Sequence, residues 1–159
     1  MGGWLDGCPI CWRLTIKMDE LEQLVSQRKF VGTQMRANIT NEPSYKHKNG
    51  TTYLVKRLMS DVVRDGPIFW QCEKMLGWTP DMVTLNKNIV CKPHTDRNKG
   101  VSAICFLGDF TGGALLVQEE DDVRRIEKPY EWHYFNGKNL HWNEEITSGT
   151  KYSVVCYRK

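Results

Sequence analysis

Hydrophobic positions change their period near the middle of the chain. In residues 18–30, Met18, Leu21, Leu24 and Val25 recur at helical spacing, with acidic residues early and Arg28 and Lys29 late. That charge order complements a helix dipole, so a first helix is expected there. A second is expected over residues 52–64, where Leu54, Val55, Leu58, Met59, Val62 and Val63 form one broad apolar stripe. Gly66 and Pro67 should stop it, and Pro67 should open a short third helix through Trp70 and Met75, closed by Gly77. Residues 31–50 are polar, with Gly32, Pro43, Gly50 and no sustained period, which reads as a loop.

From Met82 onward the period shortens to two. Residues 82–90, 101–107, 114–118, 131–135 and 150–157 read as strands. Gly108-Asp109, a charged arm over 119–128 and the strong turn signal Asn136-Gly137 separate them. Short strands with frequent turns predict a jelly roll. The expected fold class is therefore α+β. One domain would cover 1–159, with a helical part (1–81) packed on the outer face of a jelly-roll core (82–159).

Composition adds little to this and excludes some partners. The 159 residues, 40% hydrophobic and 26% charged, suit one soluble domain that buries a core without metal or disulfide staples. A net charge of +3, from 22 basic and 19 acidic residues, is too small to establish a nucleic-acid partner. No apolar run approaches the roughly 18 residues of a membrane span. Residues 1–14 lack the apolar stretch of a signal peptide, and Asp6 stands where myristoylation needs Ser or Thr. The expectation is a cytoplasmic or nuclear protein with its six cysteines reduced and the sequons at Asn38 and Asn49 unused. Cys8 and Cys11 form a single Cys-x-x-Cys with no second pair, a poor basis for zinc.

The chemistry concentrates in the strand half. The four histidines are His47, His94, His133 and His141. In an extended segment residues two apart point the same way, so His94 and Asp96 can present an imidazole and a carboxylate to one point. A distant second His would complete a set of two His and one carboxylate, which binds one face of Fe(II) and leaves the other positions open. A His-x-Asp alone arises by chance roughly one time in five in a chain with four histidines. The spacing of residues near the C-terminus gives it force. Lys151 lies ten residues after His141 (151 − 141 = 10), with Ser153 two beyond. In a final strand Lys151, Ser153, Val155 and Tyr157 share a face, and a cation beside a hydroxyl makes a receptor for a buried carboxylate. Arg158 has the opposite parity unless a bulge reverses it. His133, between Trp132 and Tyr134, has no cation correctly spaced after it and reads as structural.

In combination, His94-x-Asp96, His141 and the later Lys151-x-Ser153 resemble the double-stranded β-helix superfamily of Fe(II)- and 2-oxoglutarate-dependent oxygenases. The likeness covers about residues 83–158. Lysine as the cation resembles the prolyl 4-hydroxylase branch. The segment Asn86-Lys87-Asn88 is similar to the Asn-x-Tyr of AlkB-like members, with Asn88 in place of Tyr. Gly112-Gly113-Ala114-Leu115 resembles a Gly-Gly-x-Leu stretch of the prolyl hydroxylases and the Tet/base-J oxygenases. The resemblance implies iron on His94, Asp96 and His141, and 2-oxoglutarate held by Lys151 and Ser153 with Asn86 and Asn88 nearby. It implies a dioxygenase that takes O2, releases succinate and carbon dioxide, hydroxylates its substrate, and uses ascorbate as a candidate reductant. Two substrates fit that reading: a protein side chain such as proline, or a nucleobase methyl group as in Tet/base-J relatives. For the second, Trp132, Tyr134 and Trp142 are candidate stacking walls, and Lys92, Arg97, Asn98 and Lys99 candidate phosphate contacts. A third reading is a non-catalytic jelly-roll module that binds metal without turnover.

Overall fold

The computed structural model describes residues 9–28, 30, 53–57 and 62–159, with side chains described for 17–28, 30 and 66–159. The expected loop over 31–50, His47, both sequons, Cys8 and the side chain of Cys11 lie outside this set. The described elements are α1 (Pro9–Ser26), β1 (Tyr53–Arg57), α2 (Val62–Leu76), β2 (Met82–Lys87), β3 (Lys99–Leu107), β4 (Phe110–Gly112), β5 (Leu115–Glu119), β6 (Asp122–Ile126), β7 (His133–Phe135), β8 (His141–Asn143), β9 (Ile146–Gly149) and β10 (Tyr152–Arg158).

Alternation along three neighbouring strands sorts side chains between two cores. A five-stranded sheet has the order β1-β2-β10-β3-β7, and all its pairs are antiparallel. On its outer face Val83, Leu85, Ala103, Cys105, Leu107, Val154 and Cys156 pack against Met18, Leu21 and Val25 of α1 and Ile68, Phe69 and Cys72 of α2. On its inner face Ile104, Phe106 and Phe135 meet Leu115, Val117 and Ile126 from the opposing sheet β6-β5-β8. A two-stranded pair, β4-β9, completes the barrel. The result is the α+β jelly roll expected, with the helices on one outer face.

Two elements depart from the expectation. The apolar run taken as a helix over 52–64 contains a strand: residues 53–57 pair with the edge of β2 in the register Tyr53↔Asn86 to Arg57↔Met82. Edge pairing satisfies a whole row of backbone groups, which outweighs a helical spacing of apolar residues. Pro67, expected to stop one helix and open another, lies inside α2. Part of the strain of an internal proline is the clash of its ring with the Cβ of the preceding residue, and Gly66 has no Cβ. Packing of Ile68, Phe69 and Cys72 then holds the helix through the missing hydrogen bond. Gly77 does end it: its N–H donates to Glu73 O (2.9 Å) at φ +80°, where glycine is unstrained.

The described cysteines, Cys72, Cys91, Cys105 and Cys156, are buried thiols outside any disulfide. Burial pushes the Cys105 and Cys156 thiols well above their usual range. Among the described residues no helix is long and apolar enough to cross a membrane.

Candidate metal centre and acid-binding cavity

The segment after β2 runs back along β8 and brings two distant histidines side by side. Asn143 N–H donates to Cys91 O (2.9 Å), His94 N–H to His141 O (3.1 Å) and His141 N–H to His94 O (3.0 Å). This isolated bridge sets the two imidazole rings 4.3 Å apart, centroid to centroid. Two residues on, Asp96 N–H donates to Gly137 O (2.8 Å), which turns its carboxylate toward both rings. Asp96 Oδ1 lies 3.8 Å from His94 Nε2 and Oδ2 lies 3.2 Å from His141 Nε2. One donor atom from each of His94, Asp96 and His141 falls within 4.8 Å of the others, the arrangement of a facial triad.

Each imidazole is fixed by its other nitrogen. His94 Nδ1 donates to Lys92 O (2.8 Å) and His141 Nδ1 to Asn139 O (2.7 Å). With the proton on Nδ1, each ring turns an unprotonated Nε2 toward Asp96, the form in which imidazole can ligate a metal, and the backbone acceptors set the ring orientation. Phe135 meets the His141 ring edge-on at 5.2 Å and closes its buried side.

Behind the triad, between the two sheets, lies a cavity of about 120 Å³ lined by Thr84, Asn86, Phe106, Lys151, Ser153 and Tyr157 among others. The alternation of β10 delivers Ser153, Val155 and Tyr157 to it, and Lys151 precedes that strand on the same face. Lys151 is 4% exposed. Its Nζ donates to Gly113 O and sits 4.3 Å from the Phe106 ring centroid. Burial lowers its pKa to about 8, and the only opposing influence is Cys91. Lys151 is thus a buried ammonium with aromatic walls and, among the described residues, no carboxylate partner, and a buried charge of this kind is costly unless an anion joins it. Asn86 Nδ2 donates to Ser153 Oγ (3.1 Å), while Asn86 Oδ1 is buried without a partner among the described residues. The donor set, two oriented imidazoles and a carboxylate beside a buried cation, fits ferrous iron with a dicarboxylic acid.

No protein-family model matches the sequence, and no curated protein matches it. Solved structures do match. A prolyl-4-hydroxylase from Pseudomonas putida is 12% identical, with a TM-score of 0.56 over 92% of this chain and 86% of that one. An oxidoreductase of the 2OG-Fe(II) oxygenase family from Burkholderia pseudomallei is 13% identical, with a TM-score of 0.57 over 88% and 77%. NgTET1 in complex with 5mC DNA is 14% identical, with a TM-score of 0.53 over 91% and 67%. The fold is that of the Fe(II)/2-oxoglutarate oxygenases.

Within this oxygenase fold, Asn98 also lines the cavity, whereas several other residues singled out from the sequence do not. Asn88, at φ +55°, accepts from Lys151 N–H through Oδ1 and donates its own N–H to Lys151 O, both at 2.8 Å. It holds the lysine backbone and is not among the cavity-lining residues. His133 Nε2 bonds Lys128 O (2.8 Å), apart from the triad. Arg158, beyond a register shift in β10, stacks over Trp78 at 4.8 Å. Trp132 packs against the helix-side core, and the exposed Tyr134 accepts from Trp78 Nε1. Trp142 follows His141 on the other face of β8, so none of these three aromatics lines the cavity. The aromatic walls are Phe106, Phe135 and Tyr157. Sequence reasoning missed Gly113 and Gly137 as neighbours of functional side chains. The signals in the sequence were the Gly112-Gly113-Ala114-Leu115 stretch and the Asn136-Gly137 turn, and neither specifies a contact with Lys151 or Asp96.

Proposed function

We propose that this chain is an Fe(II)- and 2-oxoglutarate-dependent dioxygenase that hydroxylates a protein side chain such as proline. One observation carries the reading: a facial triad and a buried ammonium, with no carboxylate partner among the described residues, open onto the same cavity. His94, Asp96 and His141 would hold the iron, and Lys151 with Ser153 the far carboxylate of 2-oxoglutarate. Bound there, ferrous iron supplies the oxygen chemistry that protein side chains lack. The chain's own part is geometry. Lys92 O and Asn139 O keep the imidazole protons off the metal side. Lys151 supplies a charge in a dry setting, where attraction to a carboxylate is stronger than in water. Asn86 keeps Ser153 Oγ in place, and its own Oδ1 can accept from a water or a protonated acid. Phe106 and Phe135 exclude solvent from the acid and from His141.

The similar prolyl-4-hydroxylase supports the side-chain substrate at the level of fold. A second reading, oxidation of a nucleobase methyl group, is favoured by a different observation. Lys92, Arg97, Lys99 and Lys138 are all exposed on the two segments that carry or touch the triad, residues 92–99 and 136–141, and Asp96 is the only acid in them. Cations so placed suit a phosphodiester backbone.

The test is succinate release from 2-oxoglutarate under oxygen with Fe(II), measured with proline-containing peptides and with methylated DNA or RNA as stimulants. Wild type should release succinate and His94→Ala should not. Stimulation by nucleic acid but not peptide would replace the first substrate reading by the second. No iron binding and no succinate from wild type would leave only a metal-free jelly roll.

A further inference from the structure

We propose that the turn Asn136–Asn139 is the template that sets the geometry of the metal site, and that Gly137 is its positioning residue. This rests on His94, Asp96 and His141 being the metal ligands. The turn touches two of the three at once. Gly137 O accepts from Asp96 N–H (2.8 Å), and Asn139 O accepts from His141 Nδ1 (2.7 Å). The turn is closed internally: Asn139 N–H donates to Asn136 O (3.0 Å) and Lys138 N–H to Asn136 Oδ1 (3.0 Å). A single rigid piece of backbone therefore fixes where the carboxylate stands and how the second imidazole is rotated.

Gly137 is needed for space. It is buried, and its φ lies outside the left-handed region, so conformational freedom is not the reason for glycine. A Cβ there would lie 3.3 Å from both Asp96 Cβ and Asp96 Oδ2. Oδ2 is the oxygen that faces His141 Nε2 at 3.2 Å. A methyl group at this position would make the Asp96 side chain give way by a few tenths of an ångström, and Oδ2 is one of the two atoms it would meet. Nothing else within 3.4 Å of that Cβ would have to move. The cost should thus fall on the site and spare the fold.

The consequence is a separation of metal affinity from stability. Altered support of a ligand lowers metal affinity by roughly 10–100-fold. Gly137→Ala should bind Co(II), used as an air-stable spectroscopic probe, about tenfold or more weakly than wild type. Its visible Co(II) spectrum should shift, while its metal-free melting temperature stays near that of wild type. Leu140→Ala, an exposed side chain in the same loop, is the control and should bind Co(II) like wild type. If Gly137→Ala does not fold, Asn136→Ala carries the test, since it removes only the side-chain bond that closes the turn. Weaker Co(II) binding by that variant supports the template. Wild-type Co(II) affinity and spectrum in a folded Gly137→Ala, or in Asn136→Ala as its substitute, overturn it. If wild type itself binds no Co(II), the ligand assignment fails, and the inference with it.

Discussion

At the scale of single residues, Lys151 carries a large electrostatic cost. Its ammonium is lowered from 10.5 to about 8 by burial. A shift of that size means that the charge costs the folded protein on the order of 3 kcal/mol below pH 8. The folded pKa is below the unfolded one, so this cost is fully present below pH 8 and is relieved as pH rises toward 10.5. A bound dicarboxylate reverses the preference, because it needs the ammonium protonated. Affinity for 2-oxoglutarate should therefore weaken as pH rises through about 8, well below the range of an ordinary lysine. Calorimetric titration near pH 8, repeated in buffers of different ionisation enthalpy, should show proton uptake on binding. Lys151→Met should melt higher than wild type without cosubstrate and lose 2-oxoglutarate binding. A variant that melts lower, or binding that is indifferent to pH up to 10, would contradict the assignment. The residue types of the site were legible because their chemistry is specific and their spacing is short: two positions from His94 to Asp96, ten from His141 to Lys151. The roles of Asn88, Gly113 and Gly137 were not. They arise from approaches across the fold, such as Lys151 Nζ donating to Gly113 O, which no local pattern encodes.

At the scale of elements, alternation is the device that separates a packing face from a chemical face. Along β10, Val154 and Cys156 enter the helix-side core while Ser153, Val155 and Tyr157 enter the cavity. The same holds along β2 and β3, so the helices stabilise the sheet without touching the site. Leu21 of α1 is fully buried in that interface. Leu21→Ala should destabilise the protein by about 2–5 kcal/mol in denaturant titration. Its metal affinity, measured well below the midpoint, should stay near wild type. A loss of metal binding in parallel would show that the two faces are coupled. The long strands β2, β3 and β10 were legible because several residues repeat the period. β4, β8 and β9 were not, being three or four residues long. β1 was misread because Leu54, Val55 and Leu58 fit a helical stripe as well as an edge strand, and only the free edge of β2 decides between them.

At the scale of the whole molecule, the two sheets form a container whose rim carries His94, Asp96 and His141 and whose interior carries the Lys151 ammonium. Residues from β2, β3, β5, β7, β8 and β10 converge on one cavity, and each element is held by a neighbour distant in sequence. Iron and the acid should therefore share this cavity. The most direct measurement is an anaerobic titration of Fe(II)-loaded protein with 2-oxoglutarate, monitored by visible absorption. A keto acid chelating ferrous iron gives a metal-to-ligand charge-transfer band. Wild type should develop this band, His141→Ala should not, and Lys151→Ala should need far more 2-oxoglutarate to reach it. No band in wild type, or the same titration curve in Lys151→Ala, would contradict a shared cavity.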